Sequence, residues 1–319
     1  MQKLPTFWIA AAVVALIGLG FTVVADNEFY FFASYVVLQA VIMATAWNVL
    51  GGFTGYVNFG SAGFFAVGAY TTVALNKAFG LPLPVLIVCA ACMSAIIGLA
   101  AGYLTLRLKG VYFAISTLAL AIVLETIANN WDYVGAAGGT YILTPEDSLF
   151  FDSYIELLFM VILLLAIGAA AVARYLSSSR IGQGLAAIRD DEVAAECNGV
   201  PTLKLKLISA SVMGAMMGAA GAPYPFFVTY VDPVSAFNLL VAVNAIAMPM
   251  IGGTAHWIGP IIGALLVGGA QEVITVTISS EMNLLVVGVM LVGFITLAPR
   301  GIVGLYQDYK AKKRQEGQS

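Results

Sequence analysis

The chain has 319 residues, of which 61% are hydrophobic and only 10% charged, with a net charge of −3 and a mean hydropathy of +0.95. A soluble domain of this size carries about a quarter charged residues, so the composition excludes a fold surrounded by water and makes lipid the matching solvent. The near-neutral net charge says little by itself, because the placement of the charges matters more than their sum.

A hydrocarbon core of ~30 Å takes about 20 helical residues to cross. In chain order, ten segments suit that length: 7–24, 30–50, 55–76, 84–106, 111–130, 154–176, 206–222, 236–253, 258–278 and 283–299. The first, Phe7–Val24, follows Lys3 and reads as a retained span, because no A-x-A-like cleavage signature closes it. Within and beside the third, the glycine-rich stretch 51–70 is either a clean span or a broken, re-entrant helix. The expectation is an all-α polytopic membrane protein of about ten transmembrane helices, one transmembrane domain over residues 1–319.

Charge placement orients this map. With both termini inside, thirteen of the fourteen Lys and Arg fall on the cytoplasmic side, and only Lys77 lies outside. The outer loops collect Asp26, Glu28, Asp132, Glu146, Asp147, Asp152, Asp232 and Glu281. Two hydrophilic regions exceed a tight turn: the outer loop Trp131–Ser153, and the inner segment of about 177–205. A basic tail occupies about 300–319.

Cys89 and Cys92 form a C-A-A-C inside an apolar run without a second cysteine pair, so they read as small packed residues rather than a redox or zinc site. His256, the only histidine, has no ligand partners nearby in sequence. No metal site and no catalytic residue is expected.

The inner segment reads SSSRIGQGLAAIRDDEVAAECNGVPTLKLK. Gln183–Asn198 is expected to form one short amphipathic helix, with Leu185, Ile188, Ala194 and Ala195 on a compact face and Gly199 and Pro201 as the stop. Such a helix suits a groove on a cytoplasmic partner. A solvated interfacial helix joining two spans is an equally good reading of composition alone.

The run A-A-I-R-D-D-E-V-A-A-E-C-N-G-V resembles the E-A-A…G loop of binding-protein-dependent ABC permeases, in the version found in branched-chain amino acid permeases of the LivM type. Further blocks resemble the same family in order: Trp47–Tyr70, Tyr112–Leu120, Ala137–Gly139, Val231–Pro233, Ile251–Thr254 and Ala298–Leu305. The chain departs from the family pattern at Tyr56, Asn58 and Ser61, where related permeases often carry Gln and Ser or His, and at Thr140, Tyr141 and Ile142. The resemblance implies that Arg189, Asp190, Glu192, Ala194, Ala195, Glu196 and Gly199 couple the permease to an ATPase. It also implies the partners: two cytoplasmic ATPase subunits that carry ATP and Mg, a second homologous permease subunit and an external solute-binding protein. This chain itself would hold no cofactor, bind no nucleic acid, and sit in a bacterial-type inner membrane.

Six glycines between Gly51 and Gly68 weaken a straight helix by ~1 kcal/mol each relative to alanine. A break at membrane depth is tolerable only where backbone is buried in protein or lines a wet cavity, and freed backbone groups there suit a zwitterion. Close helix packing through small residues is the competing reading, as in Gly214-x-x-x-Gly218 and Gly259-x-x-x-Gly263. Gly52, Thr54, Gly63, Val67 and Gly68 recur faintly as Gly252, Thr254, Gly263, Val267 and Gly268. Asn48, Asn58, Ser61, Asn244 and Glu272 are the candidate solute-pathway residues, set against a plainer role as interhelical hydrogen bonds. Glu125 and Glu156 are the other acids inside spans.

No G-x-x-x-x-G-K-[ST] occurs, so the chain lacks a P-loop for nucleotide. The expected function is the transmembrane permease of an ATP-driven importer for branched-chain or other small amino acids, or a related solute such as urea, an amide or a small carboxylate. An ion-coupled secondary transporter is the alternative. A membrane enzyme lacks a convergent set of catalytic side chains.

Overall fold

The computed structural model describes residues 4–24, 27–143, 153–277, 282–298, 301–305 and 310. Of the charges that orient the chain, Lys3, Asp26, Glu146, Asp147, Asp152, Glu281, Arg300, Lys312, Lys313 and Arg314 lie outside the described residues. The helices are α1 (Leu4–Val24), α2 (Glu28–Thr54), α3 (Ser61–Phe79), α4 (Leu83–Thr105), α5 (Val111–Asn129), α6 (Tyr154–Ser178), α7 (Arg180–Asp190) and α8 (Glu192–Cys197). They continue with α9 (Thr202–Gly221), α10 (Tyr224–Val228), α11 (Pro233–Ala236), α12 (Leu239–Gly252), α13 (Gly259–Thr277) and α14 (Met282–Leu297). The chain is an all-α polytopic membrane protein.

Among the described residues, eight helical stretches are long and apolar enough to cross a bilayer, fewer than the ten expected. Thr202–Val228 joins α9 to α10, and Pro233–Gly252 joins α11 to α12. The two segments outside the set are α14, with 16 described residues, and α3. Helix α3 starts at Ser61 rather than near residue 55, and eleven of its 19 residues are buried against neighbouring helices. A helix screened from lipid by protein does not need lipid-matched side chains, which is why it carries Thr71, Thr72 and Asn76, while Lys77 is exposed in its last turn. Helix α1 is the opposite case, with 6% of its apolar window buried. It lies at the periphery against α6, where Gly18 faces Leu163.

Helices α2, α3 and α4 pack around α9. The Gly214-x-x-x-Gly218 stripe makes that possible: a Cβ on Gly218 would run into Ser94 and the carbonyl of Ala90 on α4. Ser94 Oγ in turn donates across to Phe64 O at 2.9 Å, tying α4 to α3. These glycines bring backbones together, as the packing reading expects.

At one end of the bundle the loop after α5 forms two short 3-10 turns, Asp132–Val134 and Ala136–Gly138. Strand β1 (Thr140–Tyr141) then pairs antiparallel with β2 (Tyr230–Val231), Thr140 opposite Val231. Tyr230 Oη donates to Gly138 O at 2.8 Å. Two motif blocks that lie far apart in sequence thus meet here. The opposite end gathers Arg107, Lys109, Arg180, Arg189, Lys204 and Lys206 at the helix junctions, and is called the basic end below.

Candidate functional site

The glycine-rich block is a broken helix. Helix α2 stops at Thr54, whose hydroxyl donates to Leu50 O at 2.6 Å. Gly55 follows with φ +79, and its N–H caps Gly51 O at 3.0 Å. A left-handed residue at this position ends a helix, and glycine enters that conformation without a Cβ penalty. Residues 56–60 are non-helical until α3 begins at Ser61. Their polar backbone is satisfied by side chains: Trp47 Nε1 donates to Asn58 O (2.8 Å), Gly60 N to Asn58 Oδ1 (2.7 Å) and Phe59 N to Thr117 Oγ1 (3.2 Å). A break buried within protein must be paired in this way.

The candidate pathway residues are only partly brought together. Asn58 is 2% exposed, and its amide is engaged in holding the break, with Nδ2 facing Met213 Sδ at 3.8 Å. Ser61 adjoins it, fully buried, with no partner for its hydroxyl. Asn48 donates to Thr254 O at 3.2 Å in the α12–α13 turn, and its Oδ1 is unpaired. Asn244 accepts from Gln271 at 3.3 Å, an interhelical bond between α12 and α13. Glu272 is half-buried on α13, and no hydrogen bond joins Asn244 or Glu272 to Asn58 or Ser61.

The basic-end segment forms two helices where one was expected. Asp191 is extended (φ −160°, ψ 109°), and its carboxylate accepts from Val193 N at 2.9 Å and Ala194 N at 3.0 Å. An aspartate in this geometry is a strong N-cap, so the second acid of R-D-D-E ends α7 and starts α8. Gly199 (φ +80) supplies the expected stop, with Val200 N donating to Ala195 O at 3.0 Å. Leu185, Ile188 and Ala195 are buried as expected. Ala194 is exposed, because the break at Asp191 turns α8 away from the face of α7. Beside it Val193 is 60% exposed, an apolar side chain absent from the expected set. Arg189, Asp190, Glu196 and Gly199 are also exposed. Arg189 reaches Gly52 O at 3.4 Å, and Glu196 Oε1 accepts from Thr202 Oγ1 at 2.5 Å.

Glu192 turns inward, in contrast to its neighbours. Its Oε1 pairs with Lys206 Nζ at 2.7 Å, and its Oε2 accepts from Tyr56 Oη at 2.6 Å. Lys206 is 3% exposed; its ammonium also donates to Tyr56 Oη and to Leu106 O, both at 3.1 Å. Lys109 stands 3.8 Å from Glu192 Oε2. A buried ammonium is costly unless paired and hydrogen-bonded, and here three acceptors surround it. Burial pushes the Glu192 carboxyl up, but the hydrogen bonds from Lys206 and Tyr56 and the positive charges nearby outweigh it and hold the group below its ordinary value. One cluster therefore ties together the α2–α3 break, the end of α4, the start of α8 and the first turns of α9.

Two cavities flank the break. One of about 540 Å³ at the basic end is lined by Tyr56, Phe59, Lys109, Arg189 and Glu192. Another of about 400 Å³, between α3, α5 and the α11–α12 junction, is lined by Phe59, Ala62, Glu125, Phe237 and Asn238 and opens on the flank of the bundle past the exposed Ile122, Val234 and Leu239. Sequence reasoning missed Lys206, counted only as an orienting charge, although a lysine at the start of an apolar helix beside a second one, Lys204, signals that one of the pair turns inward. Phe59 carries no such signal. Tyr56 stood out only as a departure from a family pattern.

The family model described as "Branched-chain amino acid transport system / permease component" matches residues 29–295. The chain is 27% identical over 289 residues to the high-affinity branched-chain amino acid transport system permease protein LivM of Escherichia coli, covering 82% of this chain and 67% of that one. Salmonella typhimurium LivM matches equally, at 27% over 289 residues. The probable branched-chain amino acid transport permease protein LivH of Methanocaldococcus jannaschii is 29% identical over 280 residues, covering 82% of this chain and 86% of that one. No solved structure matches the chain.

Proposed function

The chain belongs to the branched-chain amino acid transport permease family, and from that premise we propose that it is the membrane-spanning permease subunit of an ATP-driven, binding-protein-dependent importer of branched-chain or other small amino acids. The observation that carries this reading is the basic-end segment itself. It presents Asp190, Val193, Ala194 and Glu196 outward while Glu192 is anchored inward to Lys206 and Tyr56. An exposed helix with a small apolar patch suits a groove on a partner, and its anchor leads directly to the broken helix.

In this reading the basic end is cytoplasmic, with both termini on that side of a bacterial-type inner membrane. Two cytoplasmic ATPases, carrying ATP and Mg, dock on α7–α8 around Arg189, Asp190, Ala194, Glu196 and Gly199. Glu192 and Ala195 act from behind that face, as the link to the bundle. A second permease subunit completes the path, and an external binding protein delivers the solute to the loops around β1 and β2. ATP binding closes the ATPases and shifts α7–α8, which switches the access of the path.

The test is uptake of labelled leucine, valine and alanine into vesicles holding the permease with its ATPases and binding protein. ATP-dependent uptake that also requires the binding protein is the expected result. Uptake that persists without ATP under a proton or sodium gradient would overturn it in favour of an ion-coupled carrier, with Glu272 as the first group to examine.

A further inference from the structure

Phe59 is the one side chain that lines both cavities described above: the basic-end cavity that holds Arg189 and Glu192, and the flank cavity that holds Glu125 and Asn238. It sits in the non-helical stretch between Gly55 and Ser61, three residues from Tyr56. We propose that Phe59 is the inner gate of the solute path, and that the Tyr56–Glu192–Lys206 cluster is the lever that moves it. This rests on the reading of the chain as an ATP-driven permease.

The lever follows from how each group is held. Glu192 stands at the first position of α8, so any shift of α8 carries its carboxylate along. Lys206 cannot let that carboxylate go freely, because at 3% exposure its other acceptors are two uncharged oxygens. Tyr56 donates to the same carboxylate, and its backbone follows the left-handed Gly55 in a segment outside any helix. Of the chain regions meeting at the cluster, α9 is clamped by its glycine contacts with α4, whereas 55–60 is held by the single hydrogen bonds of Trp47, Asn58 and Thr117 in place of a helical ladder. A pull on Glu192 is therefore taken up by Tyr56 and passed to Phe59.

The flank cavity fits a small zwitterion with an apolar side chain. Glu125 lines it with no ion-pair partner among the described residues, and offers a carboxylate to an ammonium. Asn238 adds a polar group, while Phe59, Ala62 and Phe237 supply apolar wall. An acid inside a span needs a compensating charge, which a bound ammonium provides.

The chain has three cysteines, Cys89, Cys92 and Cys197, all free, so a cysteine-less background is within reach. In it, Ala62→Cys places a thiol in the flank cavity. The experiment reads the rate at which a charged thiol reagent, added from the cytoplasmic side, modifies that thiol in the reconstituted complex, with and without ATP and vanadate. The expected result is a rate that differs between the two nucleotide states. Phe59→Ala should label quickly in both. Tyr56→Phe and Glu192→Gln should lose the nucleotide dependence while still binding and hydrolysing ATP. Labelling of Phe59→Ala as slow as that of its parent would overturn the gate. Undiminished nucleotide dependence in both lever variants would overturn the lever. Should Glu192→Gln fail to assemble, Tyr56→Phe decides, since it removes a single oxygen and keeps the ring that packs edge-on against Phe113. Absence of any ATPase bound to the parent complex would instead count against the proposed function, a separate failure.

Discussion

The chain breaks a helix twice in the same manner, once between α2 and α3 and once between α12 and α13, and the two breaks are held by different forces. Both follow a Gly-Gly pair, Gly51–Gly52 and Gly252–Gly253, and both resume in a helix with small residues near its start. The first is held by the hydrogen bonds of Trp47, Asn58 and Thr117 and is tied in addition, through Tyr56, to an ion pair between Glu192, outside the spans, and Lys206, in the first turns of one. The second is tied by close contact. Gly263 lies against the carbonyl of Met248, Thr254 O accepts from Asn48, and Ile258 N donates to His256 Nδ1 at 3.2 Å. Packed backbone has few ways to move, whereas an ion pair can part and re-form as a helix shifts. Under the proposed function, the difference makes the first break the part expected to move and the second its support.

Four substitutions or conditions would break or sharpen this contrast. The largest effect is expected in the fixed break. Gly263→Val drives a side chain into the Met248 carbonyl, and should cost about 3 kcal/mol or more. Loss of folded protein in detergent, by size-exclusion chromatography, would show it. At the moving break, Glu192→Ala leaves Lys206 buried without its anion. Because Glu192 is partly solvated and two neutral acceptors remain, the cost should be about 2 kcal/mol, read as a fall in thermal midpoint. Gly55→Ala forces alanine to φ +79 beside Arg189, and should cost about 1 kcal/mol in the same assay.

The smallest effect concerns pH, and its sign follows from the two depressed pKa values. Burial holds His256 below its ordinary 6.5, and Glu192 is held below 4.5. Each group contributes stability that is present above its ordinary value and is lost as the pH falls through the lowered one. Acidification should therefore loosen the second break first, starting below pH 6.5, and the first break only below 4.5. His256→Gln should remove the earlier loss from a pH–stability curve and leave the later one.

Much of this was legible in the sequence. Membrane residence followed from the length and charge-poverty of the apolar runs, while the glycine density between Gly51 and Gly68 raised a helix break as one of two readings. The division of the basic-end segment was less visible, since the helical periodicity runs through Asp191 and only the cap geometry shows a stop. The pairing of Glu192 with Lys206 and Tyr56 was hidden for a different reason. Residues 14 and 136 positions away meet it only once α2, α4 and α9 are packed. Apolar patterning records which face of a helix is buried, but not which charge on the next helix it will face. The five candidate pathway residues show the same limit: their polarity marked them as needing partners, and Asn58 and Asn244 spend it on holding the protein together.

The central claim is that the basic-end segment works on the first break through Tyr56. The measurement that tests it most directly is the number of solute molecules moved per ATP hydrolysed by the reconstituted complex, for the parent, Tyr56→Phe and His256→Gln. The expected result is a ratio lowered between about 3- and 30-fold by Tyr56→Phe, the usual span for residues that carry coupling, with ATP hydrolysis and assembly retained, and a ratio left unchanged by His256→Gln. An unchanged ratio in Tyr56→Phe, or an equal fall in both variants, would contradict it.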